Sequence, residues 1–285
     1  MRKEGPMAQS AQNIRKPVFA GQFYSAGPLI LKREIKNFLS RARSSQDLKV
    51  CGLIVPHAGH MYSGAVAAEA YKLVEGRKFD SVVIIAFLHR AFLQGILVDD
   101  VVAYETPLGR VPVDRELARE IQMFHPLFRN VMSGRLEEHS LEVQIPFLQE
   151  TVPELKIIPI YIGTQDITNI TVLANALAKT LEGRNVLVVA TTDLSHFHPY
   201  ETAFGKDKAL IAMFEKGNAE AIYDAYAKEE AEACGMGPVL TSILLARKMK
   251  WFGPRLVRYA NSGDVTGDRS SVVGYAAMAY RKMVC

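Results

Sequence analysis

Apolar residues recur along the chain with two alternating periods. Short runs rich in Val and Ile, apolar on both faces, fall at residues 49–55 (KVCGLIV), 81–87 (SVVIIAF), 155–162 and 185–191 (NVLVVAT), and read as buried strands. Residues 95–103 read as a further strand, and 255–260 and 271–280 close the chain as two more. Between these runs the apolar spacing lengthens to that of a helix. Residues 64–74 form an Ala-rich helix with Ser63 as its N-cap, and residues 114–123 a helix opened by Asp114. Residues 140–149 place Leu141, Ile145 and Leu148 on one helical face, and 167–181, 203–216 and 239–250 continue the series. Doubly buried strands alternating with helices predict one α/β domain over residues 15–285. Its central sheet is largely parallel or mixed and covered by helices on both faces. Residues 1–14, polar and without periodicity, read as a flexible N-terminal segment.

Composition narrows the class. The chain has 285 residues, of which 49% are hydrophobic, enough for a sizeable core and too many for intrinsic disorder. Lys and Arg outnumber Asp and Glu by 34 to 30 without clustering, so a nucleic-acid surface is not expected. No apolar run approaches a membrane span, and no secretory signal is legible at the start, so a cytoplasmic protein with no membrane association is the expectation. Cys51, Cys234 and Cys285 form no C-x-x-C pair, which argues against both a disulfide framework and a structural zinc knuckle.

The candidate chemistry collects where strands end. In open α/β sheets, ligands sit beyond the carboxyl ends of the strands. His57 and His60 follow the strand ending at Val55, His89 the one ending at Phe87, and Asp193, His196 and His198 the one ending at Ala190. Three strand ends carrying histidine suggest imidazoles converging on a transition metal. Taken singly, His60, His125 and His198 read as ordinary loop or helix-end histidines. Cys234 opens Cys-Gly-Met-Gly-Pro directly before a helix, where a thiolate is favoured as nucleophile or metal ligand; a small apolar residue packed at a cap is the plainer alternative. Within Glu137-Glu138-His139-Ser140-Leu141-Glu142, His139 or Glu142 could orient a ligand imidazole, or the acids could simply suit a first helical turn.

These motifs, in this order, resemble the Memo family, whose prokaryotic members are called AmmeMemoRadiSam system protein B. The resemblance is carried by Arg15 to Tyr24 (RKPVFAGQFY), Pro56-His57-Ala58-Gly59 with Tyr62-Ser63-Gly64, Glu138 to Glu142, Asp193-Leu194-Ser195-His196, Cys234 to Pro238 and Ser271 to Ala277. It implies a fold like the catalytic subunit of class III extradiol dioxygenases, which hold non-haem Fe(II) on two histidines and a carboxylate. It also implies a metal site at His57, His89 and Cys234, flanked by Asp193 and His196, with His196 at the position resembling the dioxygenase acid/base. Two departures stand out. Ala86-Phe87-Leu88 precedes His89 where the family has a polar turn, which removes a neighbour that could orient the ring. His60 replaces a tyrosine, adding an imidazole near the site.

The expected function is therefore that of a protein with a mononuclear iron or copper ion (or zinc) in redox chemistry on an unknown small-molecule or protein substrate. The family name implies a radical SAM protein and an Ammecr-type protein as partners. Cysteine in place of the carboxylate softens the donor set relative to an oxygenase. Hydrolysis at a zinc-like centre, with Asp193 or His196 as base, and metal handling for its own sake use the same ligands. From a different class comes a non-catalytic adaptor that keeps a vestigial pocket for an anionic or phosphorylated group.

Overall fold

The computed structural model describes residues 13–90, 93–129 and 136–282. Most of the segment expected to be flexible lies outside them, as does Cys285. Ile14 and Arg15 form β1.

The main sheet is built from β2 (Val50–Val55), β3 (Ser81–Phe87), β4 (Ile96–Val98), β7 (Phe128–Arg129), β8 (Ile157–Ile162), β9 (Val186–Thr191), β10 (His196–His198), β11 (Trp251–Asn261) and β12 (Val272–Lys282). Its order is β10-β12-β2-β9-β3-β8-β4-β7, with β11 paired to β12. The centre, β2-β9-β3-β8, is parallel, while β12 and β4 join it antiparallel, so the sheet is mixed. A small second sheet sets β1 beside the hairpin of β5 (Ala103–Thr106) and β6 (Gly109–Pro112). The expected strand over 95–103 thus divides between two sheets.

Helices cover both faces, as the doubly buried strands require. One layer holds α1 (Pro28–Arg41), α2 (His60–Lys72), α4 (His139–Glu142) and α5 (Ile145–Thr151), packed with Leu53, Val55, Val82 and Ile84. The other holds α3 (Arg115–Gln122), α6 (Ile167–Thr180), α7 (Tyr200–Lys216), α8 (Ala219–Ala227) and α9 (Met236–Lys248), packed with Ile54, Val83, Ile85 and Ala190. A single turn, α10 (Gly263–Thr266), precedes β12. No helix among the described residues is long and apolar enough to cross a membrane.

Two local expectations change. The helix read over 140–149 is two pieces, because Pro146 cannot continue a helix and instead sits in the first turn of α5. Ser63 is not the N-cap of α2: the helix starts at His60 after Gly59, and the Ser63 hydroxyl donates to the Ala58 carbonyl at 2.9 Å. Asp114 does cap α3, accepting from the Leu117 amide at 3.1 Å.

Candidate metal centre

In the order β2-β9-β3 the three strands run parallel and adjacent, so their carboxyl ends set His57, Asp193 and His89 along one edge. His57 is 1% exposed. Its backbone amide donates to Asp193 Oδ1 at 2.8 Å, its Nδ1 lies 2.9 Å from Thr191 Oγ1, and its Nε2 lies 3.0 Å from Cys234 Sγ. Burial, with Asp193 nearby adding to it, pushes the Cys234 thiol far up. Its S–H is within reach of two acceptors, His57 Nε2 and the Asp193 carbonyl at 3.6 Å. With the ring proton on Nδ1 towards Thr191, His57 Nε2 presents its lone pair on the sulfur side.

His89 stands at the rim and is oriented the same way from the other side. Glu138 Oε2 accepts its backbone amide at 2.6 Å and Oε1 faces its Nδ1 at 3.0 Å, which leaves Nε2 free. The polar neighbour that the run Ala86-Phe87-Leu88 removes is thus supplied by Glu138, 49 residues away in sequence. His139, next to Glu138, stacks on His89 with ring centroids 4.9 Å apart and lies beside Phe23 at 4.4 Å. Its Nδ1 is 3.2 Å from Glu138 Oε1 but outside hydrogen-bonding geometry, leaving a buried nitrogen without a partner.

Cys234 arrives from the far layer, just before α9. The Asp193 amide points at its sulfur at 3.2 Å, and the Gly235 amide donates to Thr192 Oγ1 at 2.9 Å. Gly235 is required by this approach, since a Cβ there would stand 2.1 Å from the Thr191 carbonyl oxygen. Two donor sets result, each with ligand atoms within 4.8 Å of one another: His57, His89 and His139, and His57, Asp193 and Cys234. His57 belongs to both.

Burial dominates the electrostatics. It drives His57 well below its usual range, helped by His89, His139 and His196, and takes His139 down to about 4 against the pull of Glu138. Both imidazoles are therefore neutral at neutral pH, as metal binding requires. Asp193 is raised to about 6 by burial, opposed by the His57 amide. Glu138 goes the other way: burial would raise it, but the His89 hydrogen bond and charge outweigh that and bring it to about 2. Neutral imidazoles with lone pairs free, one carboxylate and one thiol are the donors that zinc, copper and iron accept, so the residues present fit such an ion.

Comparison with known proteins gives the family. The family model for Memo-like proteins matches residues 15–279. The chain belongs to the Memo family. It is similar to a MEMO1 family protein of Methanothermobacter thermautotrophicus, at 36% identity over 93% of this chain and all of the relative. MEMO1 family proteins of Pyrobaculum aerophilum (33% identity, 94% of this chain and 99% of the relative) and Aeropyrum pernix (36%, 93% and 99%) are similar to it over the same extent.

Within this Memo chain the remaining expected residues take different places. His196 donates its backbone amide to Glu232 Oε1 at 2.7 Å. Glu142 orients no imidazole. It accepts from the Phe19 amide at 2.8 Å, Tyr24 Oη at 2.7 Å and Arg15 Nη2 at 3.2 Å, so it fastens the N-terminal segment over the site. His60 joins neither donor set: its Nε2 donates to the Val143 carbonyl at 2.8 Å and its ring packs on Phe147. His198 pairs with Glu232 at 2.7 Å. Sequence reasoning passed over Glu138, Thr191 and Glu232. An acid directly before His139 was a usable signal for Glu138; Thr191 and Glu232 had none.

Proposed function

We propose that this Memo protein holds one transition-metal ion, iron or copper, on His57 Nε2, His89 Nε2 and Cys234 Sγ, and uses it in redox chemistry. The observation that carries the reading is the matched anchoring of two imidazoles. Thr191 and Glu138 each engage an Nδ1, and His57 shares one donor set with His89 and another with Cys234, whose sulfur lies 3.0 Å from its Nε2; an ion on all three would bridge the two sets. Such an ion would supply electron transfer and an open position for a substrate or O2. The chain's own residues would supply the rest. Asp193 holds the His57–Ala58 backbone, Glu138 holds His89, and His196 would be the group that exchanges a proton with a bound ligand. His139 is the competing ligand for the third position.

An adaptor role for an anionic ligand fits less well. The imidazoles are neutral by burial, and an anion entering the site would meet the Glu138 and Asp193 carboxylates. The test is metal quantification after anaerobic purification and after adding Fe(II), Cu(I) or Zn(II), for the wild type and for His57→Ala, His89→Ala, Cys234→Ala and His139→Ala. One equivalent in the wild type, lost in the first three variants and kept in His139→Ala, supports the assignment. Loss in His139→Ala with retention in Cys234→Ala moves the third ligand to His139. A wild type that takes up none of the three metals overturns the reading. Co-purification with radical SAM and Ammecr-type proteins tests the partners implied by the family name.

A further inference from the structure

A cavity of about 390 Å³ opens beside the metal centre, behind the ring of Phe23, and no part of the reading above uses it. Its volume lies in the range of small-molecule sites. Three aromatic side chains, Phe23, Tyr24 and Phe38, form its walls, and Glu34 and His60 supply its polar groups. Each of these groups accepts. Glu34 is half-buried on α1, one oxygen taking a 2.7 Å hydrogen bond from Ser25 Oγ. No lysine, arginine or histidine nitrogen among the described residues lies within ion-pairing distance of it, although the chain pairs a dozen other acids and bases in this way. His60 is 5% exposed. Its Nε2 proton is spent on the Val143 carbonyl, so Nδ1 carries a lone pair, and that atom is buried without a partner.

A concavity with three aromatic rings in its lining and a carboxylate without an ion-pair partner, and with no cation in its lining, is complementary to a cation with an apolar skirt. We propose that this cavity binds an organic ammonium group, a primary or methylated alkylamine in its protonated form. The aromatic walls would face the carbon-bound hydrogens and Glu34 the charge. A bare alkali ion would gain less, because it keeps its hydration shell and leaves the aromatic walls unused. Phe23 is shared with the metal centre, its ring lying against His139 on one side and lining the cavity. The inference stands on the cavity alone and does not depend on a bound metal.

The test is a titration of the full-length protein with tetramethylammonium chloride, followed by two-dimensional NMR and matched against potassium chloride at equal ionic strength. Saturable shifts confined to residues around Phe23, Glu34 and Phe38, absent with potassium, are expected. Glu34→Gln removes the charge but keeps a hydrogen-bond acceptor for Ser25, and should weaken binding about tenfold. Met61→Lys places a competing cation at the cavity mouth from a residue that is 67% exposed, so it can be changed without disturbing the core, and should weaken binding as well. His57→Ala should bind tetramethylammonium as the wild type does, which separates this outcome from the fate of the metal reading. Shifts no different from those with potassium, or equal affinity in the wild type and both cavity variants, would overturn the proposal.

Discussion

Replacing Glu138 by Gln tests how this centre is assembled. The carboxylate is 1% exposed and accepts from three donors: the His89 amide on one oxygen, and His89 Nδ1 and the Ser140 amide on the other. A Gln side chain has one acceptor oxygen, so in either orientation an NH2 group must face an N–H, leaving a buried donor unpaired. The cost is that of one buried donor left unpaired, about 1–3 kcal/mol. Burial would raise Glu138, but the His89 hydrogen bond and charge and the Ser140 amide bring it from 4.5 to about 2. The folded value lies below the unfolded one, so the carboxylate's contribution is present above pH 4.5 and lost as pH falls through about 2. Urea unfolding should therefore find Glu138→Gln weaker by about 1–3 kcal/mol at pH 7, with the gap from wild type narrowing below pH 4.5. Metal affinity, measured by competition with a chromophoric chelator, should fall roughly 10- to 100-fold through the loosened His89 ring. A variant with wild-type affinity, beside a His89→Ala variant that loses metal, would refute Glu138 as the group that positions His89.

Other consequences follow from the same geometry. Because burial holds the Cys234 thiol protonated, metal binding should expel its proton, and calorimetry in buffers of different ionisation enthalpy should find one proton fewer released by Cys234→Ala; equal release would remove the sulfur from the ligand set. Burial lowers His60 from 6.5 to about 4, so the unfolded chain takes up a proton first as pH falls, and stability is lost between those values, by up to about 3 kcal/mol. His60→Gln retains a donor for the Val143 carbonyl and should flatten that part of the stability–pH curve; an unchanged curve would refute the assignment. Gly235→Ala forces a Cβ against the Thr191 carbonyl and should cost about 2 kcal/mol or more along with metal affinity, whereas Gly205→Ala, in open space on α7, should be neutral or stabilising by thermal melting.

The parts legible in the sequence were those set by local pattern. Strands apolar on both faces announced a covered parallel core, and the rule that ligands gather at carboxyl ends singled out His57, His89 and Asp193 before any coordinates. What stayed hidden depends on contacts distant along the chain. The apolar turn before His89 looked like a defect because its compensating carboxylate, Glu138, comes from a segment 49 residues later. Glu142 and His60 were placed near an imidazole by sequence proximity, yet each is claimed by a partner that only the fold supplies: the Phe19 amide and Arg15 for one, the Val143 carbonyl for the other. The break in the helix at Pro146 was a readable local signal that the apolar spacing of Leu141, Ile145 and Leu148 outweighed.

The N-terminal segment explains why the centre needs more than its strand ends. Arg15 is 1% exposed and directs its guanidinium to the carbonyls of Leu136 and Glu138 and to the Glu142 carboxylate. Those acceptors bracket the turn that offers Glu138 to His89. A few residues on, Phe19 and Phe23 close over His139 at 5.6 and 4.4 Å. The segment from Arg15 to Phe23 thus clamps the loop that orients one candidate ligand and roofs another. A buried guanidinium is costly unless its donors are paired, and here Leu136, Glu138 and Glu142 take up Nη1 and Nη2, while Nε is left without a partner. The sheet provides the row of positions, and this strap bears on which way His89 and His139 face.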